Sequence, residues 1–379
     1  IKGTEVRVRV TSTMPAGTTG GRLKIDPAGT SPLAEQKDGT LTGSFKMDKD
    51  GFYQVELDGP HGEHVNASPK YTVDVIEDRP PTVSFDKPKR DIALNPVEEA
   101  VLQARADDDF GVKQLDVVYS VNGGEEKTVT IYGKGAKPLP QVSATHTIYL
   151  EELGVKAGDF VAYYAKAYDT DTVSGPKSTS SDIYFIKIRP FNQNFKQAQS
   201  NEQPPGGGGG GGGRSAGPGA LSEQQRQIIS ATFNVERDRP KTAADKFKED
   251  TVYVGLAEAK LRAQVDEIAV QMRQRVNDDP DFRKMAELLP KASAEMAAAE
   301  TQLKQQKTKD ALAPEQRALK YLQDVEALYE LEVRQRQQQQ AGGGGGGGGQ
   351  MDSELADLFQ MQQDRQANQY ETQQKAQQQ

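Results

Sequence analysis

The sequence predicts a multidomain chain, β then α: two tandem immunoglobulin-like β-sandwiches, a glycine linker, and an α-helical bundle or coiled-coil region. Three observations predict it. Short runs rich in Val, Ile, Tyr and Thr recur between Gly, Asp, Asn and Pro through the first half, which is the spacing of sandwich folds. Near residue 192 the composition turns to Asn, Gln and Pro and then to glycines 206–213, a stretch that cannot bury enough surface to offset its ordering entropy. Beyond residue 220 the apolar period becomes helical.

Taken in order, TEVRVRV (4–10), GFYQVEL (51–57) and YTVDVI (71–76) are the strands expected in a first module, residues 1–77. EDRPPTVSFDKP (77–88) reads as a crossing stiffened by Pro80 and Pro81. In the second module, residues 78–191, an immunoglobulin plan puts EEAVLQARA (98–106) at strand B, VKQLDVVYSV (112–121) at C and ATHTIYLEEL (144–153) at E. DFVAYYAKAY (159–168) then takes strand F and DIYFIKI (182–188) strand G, with KTVTIY (127–132) as a further strand. Tyr163 and Tyr164, beside the turn KAGD, match the structural tyrosine corner of such folds.

Residues 192–219 form the expected flexible linker, and residues 220–340 the helical region. Leu261, Val265, Ile268, Met272 and Val276 form one stripe, and Ala318, Leu322, Val325 and Tyr329 another, so these helices need partners. Ser222 with Gln225, Thr242 with Asp245, and Asp279 before Pro280 are the expected helix starts. Pro240, Pro280 and Pro314 should separate four helical pieces, and Pro290 should kink or interrupt the third. A second glycine linker, 341–350, leads to a Gln-rich amphipathic terminal helix, 351–379, whose patch is Leu355, Leu358, Phe359 and Met361. Docking of that helix and a frayed tail fit the sequence equally, because isolated helices of this length are marginal.

Charge and composition exclude several functions. A formal net charge of −8 gives no basic surface for nucleic acid, so none is expected as a partner. The absence of cysteine removes disulfides, thiol nucleophiles and cysteine zinc sites, and fits a bacterial exported protein. No run approaches the roughly 18 apolar residues that span a bilayer. The opening at Ile1, almost in a strand, reads as a fragment or processed piece whose anchor lies upstream.

ADDDFGVKQLD (106–116) spells the DFG with which protein kinases hold magnesium, but the chain has no HRD-type catalytic loop to accompany it. On the sandwich plan Asp107, Asp108 and Asp109 fall in the B–C connection, and Asp169 and Asp171 in the F–G connection, at the same pole. Five carboxylates from two loops are a candidate calcium site, since calcium takes six to eight oxygens, and calcium is the one cofactor the sequence suggests. Turn chemistry is the competing reading, because Asp side chains bond nearby backbone amides. The glycine run lacks the Lys-Ser/Thr of a phosphate loop, and HGEH, with His61 and His64, lacks the zincin pattern and sits in a strand-rich segment. No spacing picks out a catalytic triad among three histidines, so no enzyme is expected.

DRPPTVSF, ADDDFGVKQLDVVYSVNGG, LGVKAGDFVAYYAKAYDTDTVSGPKSTSSDIYFIKIRPF, the glycine break, RALKYLQDVEALYELEV and NQYETQQ together resemble the large bacterial envelope proteins grouped as domain-of-unknown-function 4175. The resemblance implies transmembrane helices upstream of an ectodomain at the periplasmic face of the cell envelope. It carries no catalytic residues.

The first functional expectation is therefore a non-enzymatic envelope scaffold: stiff sandwiches bearing a loosely tethered helical part that binds other envelope proteins. Heptad-like steps with Gln-rich flanks fit an intramolecular bundle and a homo-oligomeric coiled coil equally. The alternative is a calcium-dependent glycan-binding module that uses Asp107 and Asp169. A third reading, a hydrolase, requires His61 and His64 to meet a carboxylate around an open metal position.

Overall fold

A computed structural model describes residues 1–11, 20–59, 62–173, 175–190, 218–275 and 280–342. The predicted glycine linker up to residue 217, the second glycine run beyond Gly342, the cap at Asp279, Val276, His61 and the terminal helix 351–379 lie outside the described residues.

The first strand group comprises β1 (Glu5–Val10), β2 (Gly21–Asp26), β3 (Gly29–Glu35), β4 (Leu41–Lys46), β5 (Gly51–Asp58), β6 (His64–Asn66) and β7 (Tyr71–Val73). Their order is β1-β4-β3-β2-β5-β6, with β7 also on β5, every pairing antiparallel. Alternation in GRLKID puts Leu23 and Ile25 inward, where they meet Leu33, Leu41, Phe45, Met47 and Val55 in one core.

The second group begins with β8 (Thr82–Lys87), so half of the expected proline-stiffened crossing is a strand. It continues through β9 (Ile92–Leu94), β10 (Glu99–Val112), β11 (Gln114–Val121), β12 (Lys127–Tyr132), β13 (Leu139–Tyr149), α1 (Leu150–Leu153), β14 (Phe160–Tyr168), β15 (Ser178–Ser180) and β16 (Tyr184–Ile188). One sheet has the order β13-β10-β8 and the other β12-β11-β14-β16-β9, with β15 on β14. The expected strands B and E thus share one sheet and C, F and G the other. The LEEL expected to finish strand E is instead a helical turn closed by left-handed Gly154.

Two expectations about this half are corrected. Asp107, Asp108 and Asp109 are part of the long strand β10, not of a loop, because β10 runs almost directly into β11 and passes from one sheet to the other with a register shift between Asp107 and Val112. The tyrosine corner does not form. Tyr163 packs edge-on to Phe85 and stacks on Tyr184, with no hydrogen-bond partner for its hydroxyl, while Tyr164 donates to Glu126.

Among the described residues four helices follow: α2 (Pro218–Asp238), α3 (Ala244–Arg275), α4 (Pro280–Lys304) and α5 (Thr308–Gly342), with a single turn of 3-10 helix, Arg239–Lys241, after α2. α2 touches α3 and α5, and α4 touches α3 and α5, which encloses a core of Leu261, Val265, Ile268, Met272, Leu289, Met296, Leu322 and Val325. The described members of the predicted stripes line this core, with Tyr329 partly buried against it. The predicted starts are not all caps: Ser222 lies inside α2 and is buried, and the Thr242 hydroxyl turns back to the Asp238 carbonyl. Pro314 and Pro290 both lie within continuous helices, and the break between α4 and α5 falls instead at 305–307, where Gln306 takes a left-handed φ of 59°.

Candidate functional site

The helices do not hang from the sandwich: they pack on it. β14 reads FVAYYAKAY without clean alternation because both of its faces are covered. Val161, Tyr163, Ala165 and Ala167 enter the core between the sheets, while Phe160 and Ala162 point the other way. There they join Ile183 and Phe185 of the strand side, Ile229 and Phe233 of α2, and Leu319 of α5 in one buried cluster. The Tyr164 and Phe233 rings lie 4.9 Å apart.

Polar contacts surround this cluster. Ser120 Oγ donates to Gln316 Oε1 at 3.0 Å in a buried position, Lys187 Nζ lies 2.6 Å from Glu326 Oε1, and Lys320 Nζ 3.2 Å from Asp159 Oδ1. Gly123, with φ of 73°, lets α5 approach so closely that a Cβ there would stand 2.7 Å from Gln316 Cβ. An apolar centre with a polar rim is the anatomy of a specific interface, so the expected loose tethering is corrected: side-chain packing fixes the pose. A cleft of about 680 Å³ opens beside it, lined among others by Glu126, Lys166, Phe233, Glu236, Arg237 and Lys309.

The second candidate is the aspartate pole, which is only partly the predicted set. One carboxylate oxygen from each of Asp78, Asp108 and Asp169 lies within 4.8 Å of the others. Asp107 turns away, paired with Arg105 at 3.0 Å and bonded by Gln141 at 2.7 Å, and the Arg105 hydrogen bond holds its pKa below the usual range. Asp109 is exposed. Asp171 is buried on Lys177, whose ammonium lies 2.7 Å from Asp171 Oδ2, 2.6 Å from Asp78 Oδ2 and 3.7 Å from Asp169 Oδ2.

The turn reading of ADDDFG is visible at Asp108. Its Oδ2 accepts the backbone amides of Phe110 and Gly111, at 3.1 and 2.7 Å, which is the turn chemistry of a bulge whose Gly111 has φ of 113°. Its Oδ1 is buried without a hydrogen-bond partner. Burial pushes the pKa of Asp78 and of Asp108 up, against the hydrogen bond from Lys177 in the first and the two amides in the second. For Lys177 burial acts downward, and the hydrogen bonds to Asp171 and Asp78 outweigh it, so its pKa is raised.

Sequence reasoning missed Asp78 and Lys177. Asp78 stands ahead of the proline pair in a segment that reads only as a spacer, and a lone lysine in SGPKSTS carries no motif. Lys177→Met should destabilise the protein by about 3 kcal/mol at neutral pH, because it leaves carboxylates buried without their cation; urea unfolding checks this, and an unchanged midpoint would show the ammonium to be dispensable. Of the histidines, His64 sits on exposed β6 with Nδ1 2.7 Å from Asp58 Oδ1, and His146 sits on β13, where burial pushes its pKa down. Among the described residues no third ligand joins His64 and Asp58.

No protein-family model and no curated protein matches the chain. Among solved structures, the fibronectin(III)-like modules of Clostridium thermocellum CbhA are similar at 16% identity, over 53% of this chain and 93% of theirs, with a TM-score of 0.22. Dpr11 IG1 bound to DIP-gamma IG+IG2 gives 14% identity over 50% and 92%, TM-score 0.20, and trypsin-activated alpha-2-macroglobulin from Escherichia coli 10% over 50% and 15%, TM-score 0.19. Superpositions this loose carry no functional meaning for this chain.

Proposed function

We propose that the chain is a non-enzymatic interaction part of a bacterial cell-envelope protein, in which two immunoglobulin-like modules and a helical bundle act together as a scaffold. The observation that carries this reading is the junction of Phe160, Ala162, Phe185, Ile229, Phe233 and Leu319. A recognition surface on the helices is then held at a set angle to the strands, which favours binding because little orientation remains to be ordered. The envelope resemblance supplies the setting: the periplasmic face, with transmembrane helices outside these residues. Among the described residues no helix is long and apolar enough to cross a membrane.

The surface for a partner is the outer side of α3, where Val252, Tyr253 and Leu256 are 54%, 76% and 65% exposed. Apolar side chains grouped on one turn suit a partner protein with an apolar contact of its own. Photo-crosslinking from position 253 in a producing bacterium tests this. Capture of a defined envelope protein, lost on Leu256→Asp, supports the reading; capture of a second copy of the chain would make it a self-assembling scaffold. Absence of any specific product from the helices, with capture confined to the aspartate pole, overturns it in favour of ligand binding at the strands.

A further inference from the structure

Lys177 leaves part of the aspartate pole unexplained. Asp78, Asp108 and Asp169 each commit one carboxylate oxygen: Asp78 Oδ2 to Lys177 at 2.6 Å, Asp108 Oδ2 to two backbone amides, and Asp169 Oδ1 to the amides of Asp171 and Lys177 at 3.1 and 2.8 Å. The other oxygen of each, Asp78 Oδ1, Asp108 Oδ1 and Asp169 Oδ2, is buried without a hydrogen bond, the Lys177 ammonium standing 3.7 Å from Asp169 Oδ2, beyond hydrogen-bond reach. The side chain of Asp78 is 3% exposed, and Asp108 and Asp169 as residues are 9% and 0% exposed. Buried acceptors that lack donors are rare in folded proteins, and three of them in one place point to a shared ligand.

We propose that Asp78, Asp108 and Asp169 bind one divalent cation, calcium, beside Lys177 at the joint between the two strand groups. The donors are all carboxylate oxygen, the ligand set of a hard cation. The three oxygens lie within 4.8 Å of one another, close enough for one ion to bridge them. Asp78, Asp169 and Asp171 share a single ammonium and Asp108 pairs with no cation, so a second cation balances the remaining charge. Asp107 is neutralised separately by Arg105 and takes no part.

The three ligands come from three segments: the crossing that leads out of the first strand group, the bulged end of β10, and the connection after β14. The first group reaches the same place. Lys2 donates its amide to the Ile76 carbonyl at 3.0 Å, and a Cβ on Gly3 would stand 3.3 Å from Val173 Cγ1. The ion therefore ties the crossing to the pole and stiffens the joint. This site does not depend on what the helices bind.

The test is calorimetric titration of the full chain with calcium chloride after chelation, with thermal melting alongside. One saturable site is expected, with an affinity of about 10⁻⁵ to 10⁻³ M, and a melting temperature raised by calcium and restored by chelator. Asp169→Asn and Asp78→Asn should each weaken binding about tenfold or more, whereas Asp107→Asn and Asp109→Asn leave it unchanged. Asp108→Asn should behave as the first pair; since it also holds the bulge, Asp78→Asn decides the matter if Asp108→Asn does not fold. No saturable heat and no calcium-dependent melting shift in the parent chain would overturn the site, leaving Lys177 and protons to balance the cluster. Undiminished binding in Asp78→Asn and Asp169→Asn would overturn it too, by placing the calcium elsewhere.

Discussion

Phe233→Ala is expected to destabilise the attachment of the helices to the sandwich by about 3–5 kcal/mol, the cost of emptying a buried aromatic site. Phe233 is 7% exposed, and its ring meets Tyr164 at 4.9 Å across the junction. It belongs to the cluster shared by strands and helices, not to the cores within each. The loss should therefore fall on the coupling. In scanning calorimetry the parent should unfold in a transition common to both parts, and the variant in two, with helical ellipticity lost first. A variant that melts with the parent, shifted by less than about 1 kcal/mol, would show that packing at Phe233 does not hold the pose.

The second large effect is a loss of stability as pH rises from about 4.5 to about 8, and its source is the interior of the helical bundle. Glu258, on α3, and Glu315, on α5, are both fully buried. Burial pushes the Glu258 carboxyl up to about 8, opposed by a hydrogen bond from Gln225, reinforced by Glu300 and opposed again by Arg262. Burial also raises Glu315 well above its ordinary value, helped by the charge of Glu258 and opposed by the hydrogen bond from Thr232. Two carboxyls raised in the folded state keep protons that the unfolded chain has already released. Their contribution is thus complete below the unfolded pKa near 4.5 and disappears as pH climbs through the folded value, at on the order of 1.4 kcal/mol per pH unit for each group.

Melting temperatures between pH 5 and 8.5 should accordingly fall, and Glu258→Gln with Glu315→Gln should flatten the curve and exceed the parent at pH 8. Glutamine keeps the shape of each side chain and removes the charge that would have to be buried. A parent profile that stays level over this range would mean that the pair is ionised and compensated in the folded state. Arg262 already answers Glu300, to which its Nε donates, so it is not a free counter-ion for Glu258.

Much of this organisation is legible in the residues themselves. The strand runs from QLDVVYSV to DIYFIKI appear as β11, β12, β14 and β16, and the stripes of Leu261 and Ala318 line the bundle core. Local sequence determines these features because a period of two or of 3.6 assigns each apolar side chain a face, and that face must be buried. One local error is Pro314, which reads as a break although helix packing carries the chain past it, while the real break at Gln306 has no strong sequence signal; Pro290, expected to kink or interrupt its helix, lies within α4 without interrupting it.

What tertiary structure alone decided is which faces meet and which charges converge. FVAYYAKAY shows by itself that it is apolar on both sides, but not that α2 and α5 cover its outer face. Topology predicts five aspartates at one pole, and the fold keeps Asp108 and Asp169, pairs Asp171 with Lys177, turns Asp107 to Arg105 and brings in Asp78 from the crossing. The physical reason is common to both cases. Period constrains a residue relative to its own strand or helix, whereas a site or an interface depends on where separate segments end in space, and that is set by how whole sheets and helices pack.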